Sequence, residues 1–236
     1  MARYSHLRQV KEIENWQNVV FSDDKWLNAN HTVNRSWTDK TTASTTKVPV
    51  GKGSRLIICH AGTINEFVEG SGGTGDYHEE MNGKEFTEWF TSMLCSFPEP
   101  SIIIMDNVPY HSMQIDKPPA QSQEEADMVA WPQKNGVDAN INMLKAELVR
   151  LLKENQPTTI RYFIDIIALE HGHRDIRLPP YHCGYNAIEL MWAQIKGYAA
   201  RRNTEPPFTT SKMLKILEEA CKHVTKGVWE KIFFME

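Results

Sequence analysis

Apolar residues fall into two patterns along this chain, short β-branched runs and amphipathic stretches at helical spacing. The first run, at residues 19–22, leads directly into Asp23 and Asp24 and predicts a strand. Residues 32–37 alternate and predict a second. Residues 56–61 predict a third after the turn at Gly51-Lys52-Gly53, so an antiparallel meander is expected. Residues 11–16 predict a short helix ahead of them. The glycine-rich segment 70–76 lacks the Gly-Lys-Ser/Thr ending of a phosphate-binding loop and reads as a flexible connector. Asn82, with Glu85 three residues on, marks a helix start. Phe86, Trp89, Phe90, Met93, Leu94 and Phe97 then recur at helical spacing as a core-facing stripe. Ile102, Ile103 and Ile104 follow a Pro-Glu-Pro breaker and predict a buried central strand that ends at Asp106.

Beyond His111 the pattern loosens. Residues 113–137 read as an exposed loop anchored by Trp131-Pro132. Residues 138–154, with Ile141, Leu144, Leu148 and Leu151 inward, predict a helix. Residues 159–170, with Ile160, Phe163, Ile164 and Ile167 inward, predict its partner in an inserted helical hairpin. A short strand at 175–178 is stopped by Pro179-Pro180. Asn186 is placed to cap a helix over 187–201 whose buried stripe is Ile188, Trp192, Ile195 and Ala199. Glu189 lies at the rim of that stripe, with Lys196 two turns further along the same flank. A last helix is expected over 212–223. Trp229, Ile232, Phe233 and Phe234 form an apolar tail that packs on the core or on a second copy. The expected organisation is an N-terminal segment 1–17, a main domain 18–203 carrying the insertion 112–172, and a C-terminal helical segment 204–236.

Composition narrows the class. With 236 residues and 41% hydrophobic content the chain can bury a full core. Cys59, Cys95, Cys183 and Cys221 are widely spaced with no Cys-x-x-Cys pair, as in a reduced intracellular protein. No apolar run is long enough to cross a membrane and no signal core opens the chain, so a soluble intracellular protein is expected. The net charge of −4 carries no global nucleic-acid signature. Locally, residues 196–236 hold eight Lys and Arg against five Glu, a balance of +3. Lys196, Arg201 and Arg202 are the best phosphate-binding candidates there, against the alternative of an ordinary solvated face.

Three acids stand in comparable settings. Asp23 and Asp106 end strands and Glu189 opens a helix. Two have a bland alternative, turn formation for Asp106 with Asn107 and helix-dipole complementation for Glu189, whereas two acids in a row at Asp23-Asp24 are unusual for a plain turn. His171, His173, His182 and Cys183 offer a zinc reading, though their spacing fits no standard finger.

Taken together, Phe21-Ser22-Asp23-Asp24, then Ile104-Met105-Asp106-Asn107-Val108-Pro109-Tyr110-His111, then Leu178-Pro179-Pro180-Tyr181 through Asn186-Ala187-Ile188-Glu189-Leu190-Met191-Trp192 with Lys196, resemble in order the three signature blocks of mariner-type transposase catalytic domains, members of the DDE endonuclease superfamily. The resemblance spans about residues 16–200. It implies an α/β ribonuclease-H-like fold, a mixed five-stranded sheet flanked by helices, with a helical insertion before the last strand.

By position, the resemblance makes Asp23, Asp106 and Glu189 the catalytic, metal-holding acids of a metal-dependent DNA endonuclease and strand-transferase, served by two Mg²⁺ or Mn²⁺ ions. Hard carboxylate oxygens suit those ions. Asn107 and His111 join Lys196, Arg201 and Arg202 as DNA-binding candidates, His111 with a plain packed histidine as its alternative. DNA (transposon ends or target), a homodimer for paired-end chemistry and nuclear residence follow as expectations. The chain departs from the family pattern in four places. Asp24 stands where a non-catalytic Glu is usual, His182-Cys183 replaces Ser-Pro, Ala187 replaces Pro, and the 83 positions between Asp106 and Glu189 exceed the usual gap. The paired helix-turn-helix units that precede the catalytic domain in this family have no counterpart before residue 16. A second function class therefore stands beside the first: a retired or repurposed fragment that binds DNA or protein without cutting.

Overall fold

The computed structural model describes residues 2–33, 41, 48–69, 71–75 and 82–233. They divide into two compact units, Met1–His111 with Ile167–Glu236, and Ser112–Ile166.

The first unit is built on a five-stranded mixed sheet of order β3-β2-β1-β4-β5. Strand β1 (Val19–Asn28) is central and the longest. It pairs antiparallel with β2 (Arg55–Gly62) and parallel with β4 (Ile102–Met105). Strand β3 (Gly73–Gly75) adds three residues antiparallel to β2, and β5 (Arg174–Arg177) runs parallel to β4. Strand β4 has neighbours on both edges, and Ile103, Ile104 and Met105 are buried while Ile102 at its start is partly so.

Helix α1 (Ala2–Lys11) precedes the sheet, and a 3₁₀ turn at Trp16–Asn18 enters β1. Helix α2 (Gly83–Leu94) starts where expected, with the Asn82 side chain accepting from the Lys84 and Glu85 amides. On the opposite side, α6 (Ala187–Arg202) buries Ile188, Met191, Trp192, Ile195 and Ala199 in one core with Val19, Phe21, Ile104 and Ile176 of the sheet. Helix α7 (Thr210–His223) adds Met213, Ile216 and Leu217 to that core, and α8 (Lys226–Phe233) adds Trp229, which is completely buried. The indole lies so close to β2 that a Cβ at Gly62 would stand 2.3 Å from its ring. Only glycine leaves that space.

The second unit packs α3 (Glu125–Lys134) on α4 (Lys145–Glu154) around Met128, Trp131, Leu148 and Leu152. Helix α5 (Phe163–Glu170) straddles the boundary between the units.

Several expectations need correction. The helix expected at 11–16 ends at Lys11 instead, since α1 occupies the residues before it. Thr32 and Val33 are not in a strand, and the rest of the run 32–37 lies outside the described residues. The segment 71–75 is not simply a connector, because Gly73–Gly75 pairs with β2. Its ends, Gly70 and Asp76, lie outside the described residues, as does Phe234 of the apolar tail. The expected loop 113–137 contains α3, with Pro132 inside the helix. The hairpin partner of α4 is therefore α3 rather than α5. Ile141 and Leu144 precede α4 and are exposed, and Ile160 and Phe163 are exposed too.

Candidate active site

In a strand successive side chains alternate between faces, and this alternation separates the two neighbouring aspartates of β1. Asp23 shares the parity of Phe21 and Leu27, which face the α6 core. Asp24 falls on the other face, towards α2. Both are buried. Asp23 does not end its strand as expected but lies in the middle of β1; it stands two residues beyond the pair Phe21 and Ile104, as does Asp106, which directly follows Met105 at the end of β4. Glu189 comes from the first turn of α6.

The helix start is held differently from the sequence expectation. The Asn186 side chain makes no capping bond within α6. Its Nδ2 donates 3.0 Å to the Ser22 carbonyl of β1, a buried link between residues 164 positions apart. The residue that starts the helix thereby fixes it next to the strand carrying Asp23.

Lys25 stands between two of the acids. Its ammonium donates to Glu189 Oε2 and lies 3.8 Å from Asp23 Oδ2. Burial alone would lower Lys25, but the Glu189 hydrogen bond and the charges of Asp23 and Glu189 outweigh it and raise its pKa. Asp23 is pushed up to about 8, chiefly by burial and then by Glu189, with Lys25 opposing and Asp106 and Asp24 adding further repulsion. The Oδ2 atom of Asp23 is buried without a hydrogen-bond partner. Lys196 joins the same charge cluster, its pKa lowered by burial first and by Lys25 second.

On the other face, the Tyr110 hydroxyl donates to Asp24, 2.7 Å from each carboxylate oxygen. His111, 1% exposed, lies with Nδ1 2.7 Å from Asp106 Oδ1 and Nε2 3.7 Å from Asp24 Oδ1. Neither approach has hydrogen-bond alignment, so these are charge and packing contacts rather than hydrogen bonds. The Phe86 ring covers His111 at 3.8 Å between centroids, and Arg177 Nη2 donates 2.9 Å to the His111 carbonyl. Burial raises Asp24 as well, against the lowering effect of the Tyr110 hydrogen bond and His111.

The sequence-derived site residues thus separate into groups. Asp23, Asp106 and Glu189 are electrostatically coupled where the middle of β1, the end of β4 and the first turn of α6 meet, with Lys196 beside them. Asn107 is exposed next to Asp106, at a cleft of about 410 Å³. His111 is enclosed and offers no surface to an external phosphate. Arg201 and Arg202 are exposed at the far end of α6, about 20 Å from Glu189 at 1.5 Å per residue. Arg202 lies over the Tyr198 ring. The zinc reading fails: His173 Nδ1 accepts from the Ser101 amide, His171 pairs with the Ile167 carbonyl and His182 stacks on Tyr185. Among the described residues no three His, Cys, Asp or Glu side chains converge closely enough, as they stand, to hold a metal ion. Lys25, Tyr110 and the tertiary role of Asn186 were not anticipated. Lys25 and Tyr110 had one available signal, their adjacency to Asp24 and His111.

The family model described as DDE superfamily endonuclease matches residues 18–211. The Mos1 mariner paired end complex with Mn is similar in structure at a TM-score of 0.60 and 12% identity, covering 98% of this chain and 56% of that one. The Mos1 strand transfer complex matches at 0.56 and 11%, with 98% and 55% covered. The Mos1 catalytic domain solved with raltegravir and Mg matches at 0.56 and 10%, with 98% and 84% covered. The fold is therefore that of the ribonuclease-H-like mariner transposase catalytic domain. The chain spans a little over half the length of the Mos1 chains in the DNA complexes. No curated protein matches it, and no helix among the described residues is long and apolar enough to cross a membrane.

Proposed function

Because this chain belongs to the DDE superfamily endonucleases, we propose that it cuts and joins DNA strands with divalent metal, using Asp23, Asp106 and Glu189 as its acids. The observation that carries this reading is the charge crowding where the middle of β1, the end of β4 and the first turn of α6 meet, which with burial pushes Asp23 up to about 8. A fold gains nothing in stability from setting two further carboxylates near a buried one, so such an arrangement suits a cation.

The donor set fits Mg²⁺ or Mn²⁺. It consists of hard carboxylate oxygens, one of them the orphaned Asp23 Oδ2, and it currently meets a cationic ammonium. Asp23, Asp106 and Glu189 would together hold the two ions of this reading. A metal held there would supply activation of a water or sugar hydroxyl and stabilisation of the oxygen that leaves phosphorus. The chain's own residues do the rest. Lys25 must release Glu189, and Asp23 must lose the proton that its surroundings favour. His111 and Tyr110, themselves enclosed under Phe86, hold Asp106 and Asp24 in place. Lys196, next to Lys25, is positioned to meet a phosphate oxygen. DNA ends or target DNA, two cooperating copies and nuclear residence belong to the same proposal.

The test is nicking of supercoiled DNA in Mg²⁺ or Mn²⁺, with Asp106→Asn and Glu189→Gln purified alongside the parent. Metal-dependent cutting by the parent, lost in both variants, is expected. A folded parent that neither cuts nor binds Mn²⁺ by calorimetry would overturn the reading and leave a binding module on a transposase scaffold.

A further inference from the structure

Tyr181 stands at the lip of the cleft beside Asp106 with its side chain fully exposed. Its backbone is in the left-handed region, at φ 65°, which a bulky residue adopts only at a cost. Burial does not offset that cost, because the ring covers no surface. The neighbouring rings behave otherwise. His182 stacks on Tyr185 (centroids 5.2 Å apart, planes within 10°) and Tyr185 on His6 (6.0 Å, 3°), so their faces are used within the protein.

The cleft itself has rigid walls, since Pro109, Pro179 and Pro180 each have φ locked by their rings. Asp106 and Asn107 lie on one side of it. Its volume of about 410 Å³ is within the range of small-ligand sites. Among the described residues no Lys or Arg lines it, so it is poorly suited to holding a phosphate. A flat, neutral, polarisable group suits it better, laid on the phenol face with polar edges towards Asn107.

We infer that Tyr181 is a stacking platform for one unpaired nucleobase next to the phosphate handled at Asp106, an inference that rests on the endonuclease reading. A base that has left the duplex stack loses its stacking energy, and an aromatic face restores it without reading sequence. The subsite would accordingly favour DNA with a single-stranded or melted position beside the cut.

The experiment compares binding of the full chain, in Mg²⁺, to a blunt duplex and to the same duplex with a three-nucleotide overhang carrying 2-aminopurine. The parent is expected to bind the overhang duplex more tightly and to quench the 2-aminopurine at one overhang position. Tyr181→Ala should weaken overhang binding at least about fivefold, the low end of what stacking one base contributes, and abolish that quench. It should leave blunt-duplex binding unchanged, and Tyr181→Phe should keep both parental properties. Equal overhang binding and quenching by parent and Tyr181→Ala, in a parent that still nicks supercoiled DNA, would overturn the subsite alone. A change of oligomeric state in Tyr181→Ala, with unchanged overhang preference, would also overturn it and assign the ring to protein contact. A parent that neither cuts nor binds DNA would overturn the endonuclease reading and the subsite with it.

Discussion

Lys25 and Glu189, 164 residues apart in the chain, are joined by a hydrogen bond from ammonium to carboxylate, and Asp23 lies within ion-pair distance of the same nitrogen. The lysine acts as an internal counter-ion for acids that would otherwise face each other. Lys25→Met is expected to lower the stability of metal-free protein by about 1–2 kcal/mol, since both partners are partly solvated. It should tighten Mn²⁺ binding about tenfold, because the competing cation is gone. Urea titration and calorimetry check the two effects; unchanged Mn²⁺ affinity would show that Lys25 does not stand in the way of the metal.

The pH dependence of stability should carry the signature of Asp23. Its folded pKa of about 8 lies above the ordinary 3.8, so between those values the folded state holds a proton that the unfolded state has lost. Stability from this group is therefore greatest below about pH 4 and declines as pH rises towards 8, at no more than about 1.4 kcal/mol per pH unit. Chemical denaturation of parent and Asp23→Asn between pH 5 and 8.5 is expected to show a steeper downward slope in the parent than in the variant, which keeps the raised Asp24.

His60 titrates in the opposite sense. Burial, only partly opposed by its hydrogen bonding to the Ala61 carbonyl, lowers it to about 4 from 6.5. Its contribution is complete above pH 6.5 and is lost as pH falls through 4, because the unfolded chain takes up the proton first. His60→Gln should flatten the acid limb below pH 6 and leave the limb above pH 7 unaltered.

Asn186→Ala removes the donor that joins α6 to the Ser22 carbonyl. A buried carbonyl left unpaired costs about 1–3 kcal/mol. Because the same link positions Glu189 relative to Asp23, Mn²⁺ affinity should fall together with the melting temperature. A loss of stability with unaltered affinity would confine Asn186 to a packing role.

Gly62→Ala would place a methyl 2.3 Å from the Trp229 ring. A destabilisation of about 1–3 kcal/mol is expected, read as a lower thermal midpoint. Gly62→Ala combined with Trp229→Leu should lose less than the sum of the two single changes, because the second relieves the clash made by the first.

The elements that bring the three acids together were readable from the sequence for definite reasons. The Ile102–Ile104 run has no plausible fate except an enclosed strand, and the α6 stripe from Ile188 to Ala199 repeats at helical spacing. What escaped depended on tertiary partners. The three-residue strand Gly73–Gly75 has glycine, which has little preference for strands, at two of its three positions and exists because β2 offers backbone groups to pair with. Helix α3 was hidden by acidic residues and an internal proline, its burial resting on Met128, Val129, Trp131 and that proline, Pro132. Asn186 looked like a cap by residue type, but Ser22 had the stronger claim on its amide. Lys25 gave no sign of facing Glu189, since nothing local places α6 over β1.

The alternation along β1 assigns Asp23 and Asp24 to opposite faces of one sheet, the first to α6 and the second to Tyr110 and His111. Substitution and frame change are therefore not equivalent insults here. Replacing Asp24 alters a supporting contact and leaves its neighbour where it was. Deleting or adding a single residue between Val19 and Asp23 would rotate every side chain of the strand to the other face. It would present Asp24 to α6 and bury Lys25 under α2, so the length of this segment is under tighter constraint than the identity of most residues in it.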